Sequence, residues 1–231
     1  MTTWWNKNAK IRMDEFKSWV GDFNQPSKVY CRQHIIQKGY KSVIDCGCGL
    51  ASDYYGFKSD NYEIEYTGLD SCTFFVEDNK QQGITMVQAE LENDLYLLDS
   101  SYECVYCREV LEHLSYYEKS VSEFIRIASK EVIIVFFIPP NEQDDQINYW
   151  EAEDLYHNVY SKKKLEKYIL ANPKVEALFW SDVNDLGYVP RRHEDELQPD
   201  ELGADMVADQ PNNLVEMPTV TKHILHIILK A

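Results

Sequence analysis

The stretch Val43-Ile44-Asp45-Cys46-Gly47-Cys48-Gly49-Leu50-Ala51 sets an apolar run, an acid and two glycines one residue apart in direct succession. The run reads as a short buried strand. Glycine lets the chain turn sharply and come close to a bound group, and a helix opening just beyond points its first N–H groups back at the same spot. A strand, turn and helix of this kind suit an open α/β sheet that binds its ligand at the carboxyl ends of the strands. D-x-G-x-G also recurs in unrelated turns, so its weight depends on the residues downstream of it.

Around this turn the chain alternates regularly. Helices are expected near 14–20, where Phe16, Trp19 and Val20 share a face, and from Pro26 to Gly39. Strands are expected at 42–46, 63–69, 84–89 and 102–107, with helices at 73–80 and 117–128. Residues 131–138 are almost wholly apolar, as a central parallel strand requires, and Pro139-Pro140 stops them. A helix over 161–170 and strands over 175–180 and 223–229 complete the pattern. It predicts a doubly wound α/β sheet with crossover helices.

Two segments break the rhythm. Residues 141–156 are acidic and aromatic, placed where a lid or an acceptor loop would sit. Residues 182–221 hold Glu194, Asp195, Glu196, Asp200, Glu201, Asp205 and Asp209 among four prolines, and read as a solvated excursion, a cover over the site, or an interface.

The chain of 231 residues suffices for one domain with a full core. A net charge of −16 weighs against nucleic acid as partner, because such proteins concentrate Lys and Arg against phosphates. Lys162, Lys163, Lys164 and Lys167 read as the solvated face of one helix. No apolar run is long enough to span a bilayer, and residues 1–6 lack the basic-then-apolar pattern of a secretion signal. Four of the six cysteines, Cys46, Cys48, Cys104 and Cys107, fall in expected strands and the glycine turn, which suits reduced thiols and a cytoplasmic setting.

The glycine turn gains company downstream. Asp70 ends the second strand about 20 residues later, where a carboxylate can accept hydrogen bonds from both hydroxyls of a ribose. Ala89-Glu90-Leu91 follows the third strand, and Arg108-Glu109-Val110-Leu111-Glu112-His113-Leu114 follows the fourth, so four strands end in polar residues on one rim. A nicotinamide enzyme would carry Gly-x-Gly-x-x-Gly, whereas here position 52 is Ser52 and the next glycine is Gly56.

Taken together these residues resemble the class I S-adenosylmethionine-dependent methyltransferases, over about residues 40–180 plus the last strand. Asp45-x-Gly47-x-Gly49 looks like their first motif. Glu109 to Leu114 is very close to the fourth-strand signature of ubiquinone-biosynthesis-like and sugar-modifying members, and residues 156–161 are similar to their segment after strand five. The resemblance implies a seven-stranded, mostly parallel sheet with an antiparallel last strand and helices on both faces. It implies one domain over 1–231: N-terminal helices to 40, a cofactor-binding core over 41–181, an acidic insertion over 182–221 and the last strand over 222–231. S-adenosylmethionine would be held by Asp45, Gly47, Cys48, Gly49, Asp70 and Ser71, with Glu90 and Leu91 beside adenine. Arg108 and Glu109 join that set from strand four.

The implied reaction is in-line displacement at a sulfonium methyl, driven mainly by holding the acceptor aligned with water excluded. His113 is the first candidate for general base and His157 the second, as base or as orienter of the acceptor. A small molecule or a sugar is the expected acceptor, giving O-methylation and leaving S-adenosylhomocysteine. Glu109, Glu112, His113 and His157 are also similar to the divalent-metal set of small-RNA 2′-O-methyltransferases. That alternative, and a non-catalytic cofactor-binding or regulatory protein, are the two rival readings. Cys46-x-Cys48 and Cys104-x-x-Cys107 mimic metal or redox spacings, but neither geometry suits shared coordination and both pairs read as packing.

Overall fold

The structure, a computed structural model, describes residues 3–11, 22–151, 154–186 and 219–230. Within these, strands and helices alternate as the sequence suggests. The strands are β1 (Ser42–Cys46), β2 (Glu65–Asp70), β3 (Thr85–Gln88), β4 (Tyr102–Arg108), β5 (Ala128–Phe136), β6 (Tyr149–Trp150), β7 (Leu155–Tyr156), β8 (Val175–Leu186) and β9 (Thr219–Leu229). The helices are α1 (Thr3–Asn8), α2 (Pro26–Lys38), α3 (Ser52–Ser59), α4 (Thr73–Gln81), α5 (Glu118–Ile127) and α6 (Lys162–Leu170).

Seven strands form one sheet in the order β3-β2-β1-β4-β5-β9-β8. β1 to β5 are mutually parallel, while β9 runs antiparallel to both β5 and β8. β8 therefore ends the sheet on one side and β3 on the other. Alternate residues feed two cores. Ile44, Val105, Cys107, Val132 and Ile134 pack on one face, and Val43, Cys104, Tyr106, Ile133 and Val135 on the other. This is the period-two consequence of a sheet covered on both sides. Cys104 and Cys107 lie on opposite faces for the same reason, and all six cysteines are buried and free.

Helix ends follow local chemistry. Pro26 opens α2, and Gly39 closes it at φ 70°, where the Gly39 and Tyr40 N–H groups bond the Ile36 and Ile35 carbonyls. α5 buries Val121, Phe124 and Ile125 at helical spacing. It stops one residue sooner than its apolar stripe suggests, and β5 begins at once at Ala128 rather than at 131. The cause is Lys174, whose ammonium donates to the Ile125, Arg126 and Ala128 carbonyls and so caps the helix.

The largest departure from expectation is at the last hairpin. β8 runs on to Leu186 and β9 starts at Thr219, so residues 182–186 and 219–221 are hairpin stem and not excursion. Asp182, Asn184 and Asp185 are poor strand formers, yet Asp185 is buried because it has partners waiting on α2 and β4. The 141–156 loop also carries the β6–β7 hairpin, unforeseen in the sequence, and single bridges tie Asn141 to Ser161 and Gln146 to Val159. The helix expected near 14–20 and residues 187–218 of the acidic segment lie outside the described residues.

Candidate functional site at the carboxyl rim of the sheet

Beyond β1 the backbone turns with Gly47 at φ 79° and Gly49 at φ 50°. Both the Gly47 and Cys48 N–H groups donate to the Leu69 carbonyl, at 2.7 and 3.1 Å, which binds the turn to β2. A Cβ at Gly47 would lie 2.4 Å from Val110 Cγ2, whereas nothing stands within 4 Å of the corresponding point at Gly49. The first glycine is thus needed for close packing, and the second leaves space open at the rim. The Asn79 side chain from α4 donates to the Gly49 carbonyl at 2.8 Å and fixes the far side of the turn.

Asp70, at the end of β2, meets this turn directly. Its Oδ2 accepts the Gly49 N–H at 2.9 Å and its Oδ1 the Cys72 N–H at 2.8 Å. Burial raises its carboxyl above the usual range and these N–H groups oppose the rise. Each oxygen keeps a second lone pair, which is what a ribose diol requires. Past Asp70 a cleft of about 480 Å³ opens at the ends of β2 and β3, lined among others by Asn6, Ser71, Gln88, Ala89, Glu90 and Tyr96. Asn6 belongs to α1 and accepts the Thr73 N–H at 3.1 Å, so the N-terminal helix borders this cleft. A second cleft, around Lys41, Tyr54 and Ile64, lies at the amino ends of β1 and β2, away from the rim.

Several residues grouped by the sequence do other work here. Leu91 is buried in the core beside β4 and β5, and the Cys48 side chain packs into the opposite core. Asp45 is turned inward. It accepts the Tyr66 hydroxyl at 2.6 Å, and burial, together with nearby Asp53, pushes its carboxyl up to about 8. Arg108 does not point toward open space at the rim. Its guanidinium donates to Ser27 Oγ at 2.5 Å, Gln25 Oε1 at 2.9 Å and Glu109 Oε1 at 3.0 Å, and lies 3.4 Å from Asp185 Oδ2. Ser27 also donates to Asp185, so Arg108 joins α2, β4 and β8 into one clamp. This network was missed because its members are far apart in the chain and resemble no motif.

The four residues of the divalent-metal alternative do not converge. Glu109 sits at φ 55° with its carboxylate between Arg108 and Lys222, 2.7 Å from the lysine. Glu112 is fully buried and accepts the Phe137 and Ile138 N–H groups, with Oε2 unpartnered. Burial pushes its carboxyl up to about 7. Only the two imidazoles meet, with His113 and His157 rings 5.1 Å apart at right angles.

Around those imidazoles the chain sets an aromatic border. His113 follows β4 in a short 3₁₀ turn, and its Nδ1 lies 2.8 Å from the Tyr156 carbonyl. A carbonyl only accepts, so Nδ1 carries hydrogen and the lone pair of the neutral ring sits on Nε2. Trp150 packs over His157 at 4.3 Å and is itself half exposed, as are Ile147 and Tyr149 nearby in sequence and Phe137 just after β5. Tyr117 is buried against Tyr160 in the core, while Tyr149 and Trp150 form the exposed β6 strand.

Comparison with known proteins agrees with this geometry. Residues 44–136 match a family model described as a methyltransferase domain. No curated protein matches the sequence. Magnesium protoporphyrin IX methyltransferase of Synechocystis PCC 6803, solved with bound S-adenosylhomocysteine, superposes with a TM-score of 0.60 at 12% identity, covering 98% of this chain and 97% of that one. A Thermotoga maritima S-adenosylmethionine-dependent methyltransferase, named as a possible histamine N-methyltransferase, gives 0.59 at 13% identity with full coverage of both chains. The Bacillus subtilis protein YcgJ gives 0.55 at 15% identity over 87% of this chain and 99% of its own. Identities this low speak to fold alone: residues 44–136 match a methyltransferase domain, and the chain as a whole shares the fold of these methyltransferases.

Proposed function

We propose that this methyltransferase moves the methyl group of S-adenosylmethionine onto a hydroxyl of a small molecule or sugar, with His113 as general base. The observation that carries the reading is the bond from His113 Nδ1 to the Tyr156 carbonyl, which leaves Nε2 as the ring's acceptor at the rim. When bound, the cofactor supplies an activated methyl group. The residues here bind, orient and move one proton. Open space at Gly49, the Asp70 carboxylate and the cleft lined by Ser71 and Glu90 fit the amino-acid, ribose and adenine parts in that order.

The acceptor would lie beside the His113–His157 pair and along the half-exposed aromatic edge at Tyr149 and Trp150, a surface suited to flat or sugar rings. The formal charge of −16 favours such acceptors over a polyanion. Six buried free thiols support a reducing, cytoplasmic setting, and among the described residues no helix is long and apolar enough to cross a membrane.

The test is transfer of labelled methyl to a panel of hydroxyl, amine and RNA acceptors, with and without EDTA. Label on hydroxyl compounds, insensitive to EDTA, supports the reading. Label on amines or RNA overturns the acceptor class. Tight cofactor binding with no transfer to any acceptor favours a regulatory binder.

A further inference from the structure

A second cluster of ligating side chains lies away from the rim, on the face of the sheet covered by α2. His34 from α2, Glu131 from β5 and His226 from β9 bring one ligand atom each within 4.8 Å of one another. His34 Nε2 is 3.0 Å from both Glu131 oxygens, and His226 Nδ1 is 2.8 Å from Oε1. Glu131 and His226 are fully buried, and His34 keeps 16% of its side chain exposed.

The side chains are held in place before any ion arrives. Tyr40 donates to Glu131 Oε2 at 2.8 Å and sets the carboxylate plane. Phe179 stacks on the His226 ring at 4.4 Å and 6°, and the His34 ring lies 4.6 Å away. Partners of this kind orient ligands in metal centres. Two imidazoles and a carboxylate are a donor set for zinc and related first-row cations, which sit about 2.0–2.2 Å from each ligand. Tetrahedral bonds of that length separate neighbouring ligand atoms by roughly 3.3 Å, so each imidazole–carboxylate pair need open by only a few tenths of an ångström, while the two imidazole nitrogens lie within 4.8 Å of each other.

A second observation points the same way. His226 Nε2 is buried with no partner. If the cluster held only hydrogen bonds, Nδ1 would carry hydrogen toward Glu131 and Nε2 would be a buried, unsatisfied lone pair. With a cation on Nδ1, Nε2 carries hydrogen instead, among aromatic rings that include Tyr30, 6.2 Å away and edge-on.

We propose that His34, Glu131 and His226 form a divalent-cation site of zinc type, with a fourth position left to water on the partly exposed His34 side. Glu131 lies five residues before the end of β5, on the order of 16 Å below the rim, so the ion is not part of the transfer chemistry. It pins α2 to the sheet through His34. The first turn of the same helix carries Ser27 of the Arg108 clamp, so the ion also steadies the joint between α2, β4 and β8.

The experiment uses untagged full-length protein, stripped with chelator and then titrated with zinc, and with cobalt as a spectroscopic probe. One zinc per chain by elemental analysis, tetrahedral cobalt bands and a zinc-dependent rise in melting temperature are expected. His34→Ala, the variant at the least buried ligand, should lose at least 100-fold in affinity and the melting shift, while still binding S-adenosylhomocysteine as evidence of its fold. Glu131→Gln should behave likewise. Absence of stoichiometric uptake by the native chain overturns the proposal. So does uptake that survives His34→Ala or disappears with His113→Ala, either of which would place the ion elsewhere.

Discussion

The Asp70 carboxylate closes two turns at once, one oxygen on the Gly49 N–H and the other on Cys72. Asp70→Ala should therefore weaken cofactor binding by about 1.5–3 kcal/mol, the scale of hydrogen bonds to a charged group, with Asp70→Asn losing less; calorimetry on the folded variants decides it. At Gly47 both φ 79° and the 2.4 Å approach to Val110 oppose a side chain. Gly47→Ala is expected to cost about 1–3 kcal/mol in urea unfolding, more than Gly49→Ala, where only backbone strain acts. His113→Ala should lower kcat by roughly 10²–10⁴-fold with little change in cofactor affinity; an unchanged kcat removes it as the base. The glycine turn and Asp70 could be read in the sequence because their meaning lies in short spacing. The roles of Arg108 and Leu91 could not, because burial and partners 81 and 77 residues away decide them.

At the scale of elements, strand and helix identities were legible wherever apolar period and capping agreed, as in α2 with Pro26 and Gly39. Boundaries failed where a distant side chain intervened. Lys174 ends α5 from across the fold, and Asp185 is drawn into β8 by Ser27 and Arg108. Local propensity for Asp and Asn points to a loop there, and tertiary pairing overrides it. Removing Asp185 leaves Arg108 buried with Glu109 as its remaining ion pair among the described residues. Asp185→Ala should destabilise by about 3 kcal/mol, the lower end for breaking a buried pair, and should loosen the N-terminal end of α2, read as faster amide exchange at residues 27–30. Unchanged exchange there would show that the clamp does not hold the helix.

For the molecule as a whole, stability should vary with pH through its buried acids. Burial raises Glu112 from 4.5 to about 7 against the opposing backbone N–H groups. The folded state then keeps a proton that the unfolded chain gives up, so stability falls as pH rises from near 4.5 to about 7. The shift corresponds to roughly 3 kcal/mol. Asp45, raised to about 8, adds a decline of the same sign. Glu112→Gln removes the first contribution, so in urea melts it should gain on the native chain as pH goes from 4 to 8; a gap that stays constant or narrows contradicts this.

β8 ends the sheet, with no strand on its outer side among the described residues. An open border of that length offers a template on which another molecule could add its own backbone, the first step toward fibrils. Exposed Glu176 and Asp182 on β8 place like charges where two such borders would meet. Colloidal behaviour should then follow from this border: Glu176→Val with Asp182→Val is expected to scatter light at concentrations where the native chain stays clear, and added salt should bring the two closer by screening the repulsion.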